Sequence, residues 1–273
     1  MFGKTQQTLR ESVTRYESKY AIPRDMVPEI RAFITPFTVP DPYARGTPPE
    51  YEITTLQLDD PYFSLHFMKE WEAINRFKLR VRTYGAIGSS PVFAEVKAKL
   101  EDTIVKSRVA IPFALWSKEL IFGVELPRCF RNERQEADFL NFKRLVWELG
   151  AGPVALVRYV RESYVGSVDR YARVTFDRKL RYQMTDSWTD FGRSGTWRPM
   201  DTSDAQGFGL AYSGVILEVK ALSHMPVWVL DMVERFQLQR VGNCKYSTAL
   251  WREGLFRGYP PTNSETEEYL AWA

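Results

Sequence analysis

From Phe77 to Tyr84 the chain reads Phe-Lys-Leu-Arg-Val-Arg-Thr-Tyr. Lys78, Arg80 and Arg82 stand two apart, with Leu79 and Val81 between them. Side chains alternate across a strand, so this segment presents three cations on one face and apolar groups on the other. A helix would scatter the same cations over more than half its circumference. Alone, the pattern describes an ordinary half-exposed strand. Its recurrence along the chain is what narrows the fold.

Residues 14–20 alternate in the same way, with Arg15, Glu17 and Lys19 on one face. Val92 to Lys99 aligns Glu95, Lys97 and Lys99, and Thr103 to Val109 aligns Lys106 and Arg108. With Phe77–Tyr84 these form three charged strands in succession, the signature of an antiparallel meander. Tyr51 to Leu58 is a further strand, closed by Asp59-Asp60-Pro61. Later, Val154 to Tyr164 carries Arg158 and Arg161 on opposite faces. Tyr171 to Leu180 carries Arg173, Thr175 and Asp177 together, and Val215 to Lys220 ends with Glu218 and Lys220 on one side.

Helices are predicted between these strands. Pro23 precedes Met26, Val27, Ile30 and Phe33 at helical spacing. Asn132 caps a helix running to Leu149, with Phe139, Phe142, Leu145, Val146 and Leu149 as its apolar stripe and Gly150 as its stop. Pro226 opens another over Val227 to about Leu238, and Lys245 lies near the start of a last one. The proline-rich run Pro36–Pro49 and the Gly, Ser, Thr and Asp-rich run Asp186–Gly209 read as loops. One domain over residues 1–255 and an acidic tail over 256–273 account for the whole.

Composition excludes more than it selects. With 273 residues, 44% of them hydrophobic, the chain can bury a sizeable core. A net charge of +3 is too mild for a nucleic-acid coat, so placement of charge matters more than its sum. Cys129 and Cys244 have no zinc or disulfide spacing, which suits a reducing, cytoplasmic setting. His66 and His224 are too few for a histidine-based metal cluster and read as surface or packed residues. No signal peptide or membrane span is apparent, so a soluble chain is expected, with docking on a membrane protein left open.

Across all the strands one face carries eleven cations, counting Arg15, against Glu17, Glu95, Asp177 and Glu218. A merely solvated face mixes its signs. Cations ~4 Å apart repel by about 4 kcal/mol at an effective dielectric near 20, so such clustering calls for a counter-anion. Arginine-rich clusters suit phosphate, through forked, charge-assisted hydrogen bonds. If the strands close into a barrel, this face becomes a wet interior shaped for a long anion. The aromatic residues fall mostly on the apolar faces, unlike the interleaved platform of a single-strand nucleic-acid binder, so no nucleic acid is expected.

The segments 15–20 (Arg-Tyr-Glu-Ser-Lys-Tyr), 76–85 (Arg-Phe-Lys-Leu-Arg-Val-Arg-Thr-Tyr-Gly), 92–97 (Val-Phe-Ala-Glu-Val-Lys) and 104–108 (Ile-Val-Lys-Ser-Arg) resemble successive motifs of the VTC domain, the polyphosphate polymerase domain of vacuolar transporter chaperone proteins and their bacterial relatives. Residues 173–178 (Arg-Val-Thr-Phe-Asp-Arg), 216–220 (Ile-Leu-Glu-Val-Lys) and 244–246 (Cys-Lys-Tyr) continue the resemblance in order, so that it spans about residues 14–250. The resemblance implies an α+β fold: an antiparallel β-barrel tunnel of the triphosphate tunnel type, flanked by helices. It also implies ATP and polyphosphate as partners and Mn²⁺ or Mg²⁺ as cofactor. By position, the implied phosphate binders are Lys19, Arg80, Arg82, Lys97, Lys106, Arg108, Arg173, Lys220 and Lys245, with Glu218 as metal ligand. Tyr171, Lys78 and Glu17 are implied as nucleotide or tunnel wall, and Lys69 aligns only loosely.

One segment departs from the family pattern: residues 55–60 read Thr-Leu-Gln-Leu-Asp-Asp where the family strand resembles Ser-Leu-Tyr-Phe-Asp-Thr. The activity implied is metal-dependent transfer of the terminal phosphoryl group of ATP to a growing polyphosphate chain. The alternatives are a tripolyphosphate or triphosphate hydrolase of the same superfamily and a non-catalytic polyphosphate-binding scaffold. Against the hydrolase stands Arg15, at the position where those enzymes resemble one another in having the first carboxylate of Glu-x-Glu-x-Lys.

Overall fold

The computed structural model describes residues 15–101, 103–168, 171–200, 214–222 and 225–256. Strands β1 (Arg15–Ile22), β2 (Thr38–Pro40), β3 (Glu50–Asp59), β4 (Arg76–Tyr84), β5 (Val92–Leu100), β6 (Thr103–Ile111), β7 (Gly152–Gly166), β8 (Arg173–Met184), β9 (Arg198–Pro199) and β10 (Val215–Leu222) form one antiparallel sheet. Its main path runs β1-β10-β8-β7-β3-β4-β5-β6, with β2 added to β7 and β9 to β8. The charged meander is β4-β5-β6. Each alternating segment named from the sequence contains a strand, most of them extended by a few residues, whereas β8 begins at Arg173, with Tyr171 left in the turn before it.

Register places the charged residues on a common face. Directly opposed residues in an antiparallel pair point the same way. Gln57 opposes Arg80, Arg80 opposes Glu95, and Glu95 opposes Arg108. One row along, Lys78, Lys97 and Lys106 oppose one another in turn. At the far end of the sheet, Arg173 opposes Lys220 and Lys220 opposes Glu17, while Thr175 opposes Glu218 and Glu218 opposes Lys19.

The sheet then curls on itself. Lys97 on β5 and Glu17 on β1 are separated by five intervening strands, yet their side chains meet at 3.5 Å. Strand twist accumulates in one hand, so a long sheet coils until opposite ends approach. The curl stops short of the closed barrel expected from the sequence. Among the described residues β1 and β6 do not pair, leaving a half-barrel whose gap is spanned by side chains.

Helices α1 (Met26–Ile34), α2 (Ser64–Glu70), α3 (Lys118–Phe122), α4 (Glu133–Leu149) and α5 (Val227–Arg235) cover the convex face, and α6 (Lys245–Glu253) lies against the concave one. The stripe Phe139, Phe142 and Val146 of α4 lies on Leu79, Val81, Val92, Ala94 and Val109, the residues that alternate with the charged ones. Asn132 caps α4 by accepting a hydrogen bond from the Gln135 amide at 3.0 Å, and Gly150 ends it in the left-handed region. Ile30 and Ile34 of α1 and Met232 of α5 pack in the same way under Tyr20, Val174, Phe176, Leu217 and Val219.

Three expectations change. The connection after Asp59-Asp60 contains α2, because the two aspartates act as its N-terminal acceptors. Asp59 takes the amides of Leu65 and His66 and the Tyr246 hydroxyl, and Asp60 takes the amide of Ser64. Lys69 is thereby a helical residue, paired with Glu70 at 2.8 Å. The helix after Pro226 ends at Arg235, three residues sooner than expected. Third, the concave face is not basic throughout. Ile53, Val157, Tyr159, Tyr182 and Ile216 form an apolar zone sealed by Ala249 of α6. His224 and nearly all of the expected tail lie outside the described residues, as do residues 201–209 of the expected loop; β9 lies within the part of that loop described here.

Candidate active site

The concave face holds two clusters of charge. The first is centred on Glu95, which is fully buried. Arg80 donates to its Oε2 at 2.6 Å and Arg82 lies 3.9 Å away; Arg108 and Lys106 approach Oε1 at 3.4 and 3.5 Å. One carboxylate thus meets four cations. Burial pushes its carboxyl upward, but Arg82, Arg80, Lys106 and Arg108 outweigh that and hold it down at about 2. The surplus positive charge shows in Lys106, which burial and its three arginine neighbours push down to about 8 despite Glu95.

Aromatic rings position Arg108. Its guanidinium carbon sits 3.8 Å from the Phe93 ring centroid and 5.3 Å from that of Tyr84, whose hydroxyl accepts from Arg108 at 3.1 Å. The planar fork is fixed while one side faces the channel.

The second cluster lies on β1, β10, β8 and β7. A recess there is lined by Tyr51, Arg161, Ser163, Arg173, Thr175, Glu218 and Lys220. Glu218 pairs with Lys220 at 2.6 Å and lies 4.0 Å from Arg161. Burial opposes its ionisation, but Lys220, Arg161, Lys19 and Lys245 hold the carboxyl well below its usual range. Beside it Arg161 grips Asp177 through two bonds of 2.7 and 2.8 Å, and Lys245 reaches Asp177 Oδ2, which Arg161 also binds, at 2.8 Å. Lys19 donates to the Asn243 carbonyl at 3.1 Å and pairs with Glu17 at 3.4 Å. Glu17 also meets Lys97 and Lys220, so it joins the two clusters.

The structure therefore brings Lys19, Arg80, Arg82, Lys97, Lys106, Arg108, Arg173, Lys220, Lys245, Lys78, Glu17 and Glu218 to one concave side. Tyr171 stands apart, in the turn before β8 and 66% exposed. Lys69 is on α2, beside Lys78 in a recess at the foot of α6. The Arg15 side chain lies outside what the structure describes.

Sequence reading missed Arg161 and undervalued Glu95 and Asp177. Arg161 shares β7 with Arg158, which lies on the other face, bonded to Thr54 and the Phe191 carbonyl and 4.3 Å from the Trp197 ring. Their opposite orientation was legible; what marks Arg161 as the inner one is its opposition to Tyr51 and Asp177. In the sequence Glu95 is one of four carboxylates set against eleven cations, whereas its position makes it the group that holds four of those cations together.

Among the described residues, no three or more His, Cys, Asp or Glu side chains gather as a metal cage. A divalent ion that arrives with phosphates needs only one or two protein carboxylates. Glu218 is ionised and hard, and the Thr175 hydroxyl opposite it is buried without a hydrogen-bond partner. These two groups fit such an ion.

The chain matches the VTC domain over residues 14–251. It belongs to the VTC domain family. The family ties this basic channel to polyphosphate-related chemistry. No curated protein matches the chain. Among solved structures, the PH1819 protein from Pyrococcus horikoshii OT3 is similar at 10% identity, with 88% of this chain and 98% of that one covered and a TM-score of 0.42. Within the VTC domain, the match takes in β1 through most of α6, so both charge clusters and Lys245 fall inside it. Among the described residues no helix is long and apolar enough to cross a membrane.

Proposed function

We propose that this VTC domain is a polyphosphate polymerase that transfers the terminal phosphoryl group of ATP to the end of a polyphosphate chain held along the concave face. The observation that carries the reading is the continuous cationic lining, from Arg108, Arg80 and Lys106 through Lys97 to Lys220 and Arg173, joined across the gap by Glu17. A chain of phosphates offers one or more charges per unit, and only an extended row of cations matches it unit by unit.

Phosphoryl transfer is governed mainly by alignment and by stabilisation of charge on nonbridging oxygens. Arg80, Arg82 and Arg108 supply fixed forks from one wall. Lys220, Arg173 and Lys19 supply charge from the other, and Lys245 approaches from the helix that seals the apolar zone. The attacking group is a terminal phosphate oxygen of the acceptor, so no side-chain nucleophile is required. Glu218, with Thr175 beside it, would hold Mn²⁺ or Mg²⁺, which when bound neutralises charge on the transferring phosphates. The dry zone against α6 limits water near the reacting phosphates, which favours chain growth over hydrolysis.

The test is the phosphorus product formed by purified protein from ATP and Mn²⁺. Phosphate chains together with ADP are expected, and Glu218→Gln should abolish turnover while tripolyphosphate binding is kept or tightened, since a repelling charge is lost. Orthophosphate as the dominant early product would make the protein a hydrolase. No ATP turnover with any divalent metal would make it a polyphosphate-binding scaffold.

A further inference from the structure

Cys244 immediately precedes α6, and Lys245, the next residue, is the one that reaches Asp177. The Lys78 ammonium on β4 donates to the Cys244 sulfur at 3.2 Å. Beside this pair is a recess whose walls include His66, Lys69, Lys78, Cys244 and Ser247. His66 is fully buried, its Nδ1 lies 3.1 Å from the Ser247 hydroxyl, and its Nε2 has no hydrogen-bond partner. Leu58, Leu65 and Leu79 complete the walls, so the recess is mixed in character. Buried imidazole nitrogens rarely go unsatisfied, and an unpaired one in such a wall points to a small guest with a polar atom.

Cys129 offers a contrast within the same chain. It packs at the edge of the core formed by α4 and the meander, where burial pushes its thiol up. The groups facing Cys244 are Lys78 from β4, Lys69 and His66 from α2, and Tyr246 from α6. Burial resists ionisation of Cys244 as well, yet Lys78 and Lys69 more than compensate and bring the thiol down to about 6.

We propose that Cys244 is a site of reversible oxidation by hydrogen peroxide, with the recess beside it admitting the oxidant. The thiolate sulfur attacks one peroxide oxygen; the O–O bond breaks as the S–O bond forms. The departing hydroxide takes a proton from solvent and leaves as water, so the peroxide is reduced and the sulfur oxidised to a sulfenic acid. Thiol reductants reverse the step. The sulfenic acid is neutral, so Lys78 loses an anionic neighbour at the channel wall, one residue from the lysine that holds Asp177.

The experiment treats the reduced full chain with hydrogen peroxide in the presence of dimedone and locates the adduct by peptide mass spectrometry. At pH 7 Cys244 should be labelled at least about tenfold faster than Cys129, the ratio set mainly by their thiolate fractions. Lys78→Met should slow the labelling and Lys78→Arg should restore it. A second measurement needs no substitution: iodoacetamide alkylation of Cys244 should be half-maximal near pH 6, the value its surroundings impose. Equal labelling of both cysteines, or an alkylation midpoint above pH ~8, the range of an ordinary thiol, overturns the proposal. Neither readout uses ATP or polyphosphate, so a failure here is separate from a failure of the polymerase reading.

Discussion

At the scale of single residues, Glu95 shows how a cationic face can be built and still fold. Four cations crowd one side of three strands, and this buried carboxylate is what they share. Its carboxyl lies at about 2 in the folded chain against an ordinary value of 4.5. A depressed carboxylate stabilises the fold above its ordinary value and loses that contribution as pH falls through the folded one. Wild-type stability should therefore drop by of order 3 kcal/mol between pH ~5 and pH ~2 on account of this group. Glu95→Gln should cost about 3–5 kcal/mol at neutral pH, since it strands buried charge, and added tripolyphosphate should recover much of the loss. Thermal melts with and without the anion check this; a variant as stable as wild type would remove Glu95 from its central place. Lys106 titrates in the opposite sense. Because its charge is lost above pH ~8, tripolyphosphate affinity should fall roughly tenfold from pH 7 to pH 9, the worth of one charged contact. Lys106→Arg should flatten that profile, as titration calorimetry across the range would reveal.

Among the elements, the strands were legible in the sequence because a period of two with charge on one parity has no other stable reading. The register was not legible, and register is what turns parallel lists of cations into rows. Short helices were missed for a similar reason. Residues 64–70 carry too few turns for a periodic pattern, and α2 begins on two aspartates that in the sequence mark only a strand end. Helix α6 was legible as a helix near Lys245, but its role as a plug was not, because Ala249 and Tyr159 meet only after the sheet curls. The bulge in β7–β8 between Arg158 and Val160, with Lys179 at φ 53°, also lies beyond any pattern of alternation. The plug makes its own prediction. Tyr246, Ala249 and Leu250 anchor α6 by burial, and Asp177 keeps both bonds from Arg161 when Lys245 is lost. Lys245→Met should therefore leave α6 docked, cost about 2 kcal/mol of stability, and weaken tripolyphosphate binding roughly tenfold. Chemical denaturation and calorimetry on the one variant separate these effects, and a chain unable to fold would contradict the anchoring by burial.

The whole molecule is a sheet stopped partway to closure, with like charge on the two walls of its opening. Lys97 and Lys106 from one side face Lys19, Lys220 and Arg173 from the other, and Glu17 is the carboxylate that touches both walls. One shared carboxylate cannot neutralise so many cations, so the gap is held by packing outside against repulsion inside. A polyanion laid along it reverses the sign of that term and stabilises the folded state through mass action. The benefit must then depend on how far the anion reaches. Orthophosphate can satisfy one cluster; a chain long enough to run from the Glu95 cluster to the Glu218 recess engages both. The melting temperature, at equal and saturating anion, should therefore rise from orthophosphate to pyrophosphate to tripolyphosphate and level off only once the chain spans both clusters. Glu17→Gln should raise the response to long chains more than to orthophosphate, because it removes the carboxylate that bridges the two walls among the described residues. An equal shift for all anions at matched charge would mean that the two clusters act as separate sites and that the concave face is not one channel.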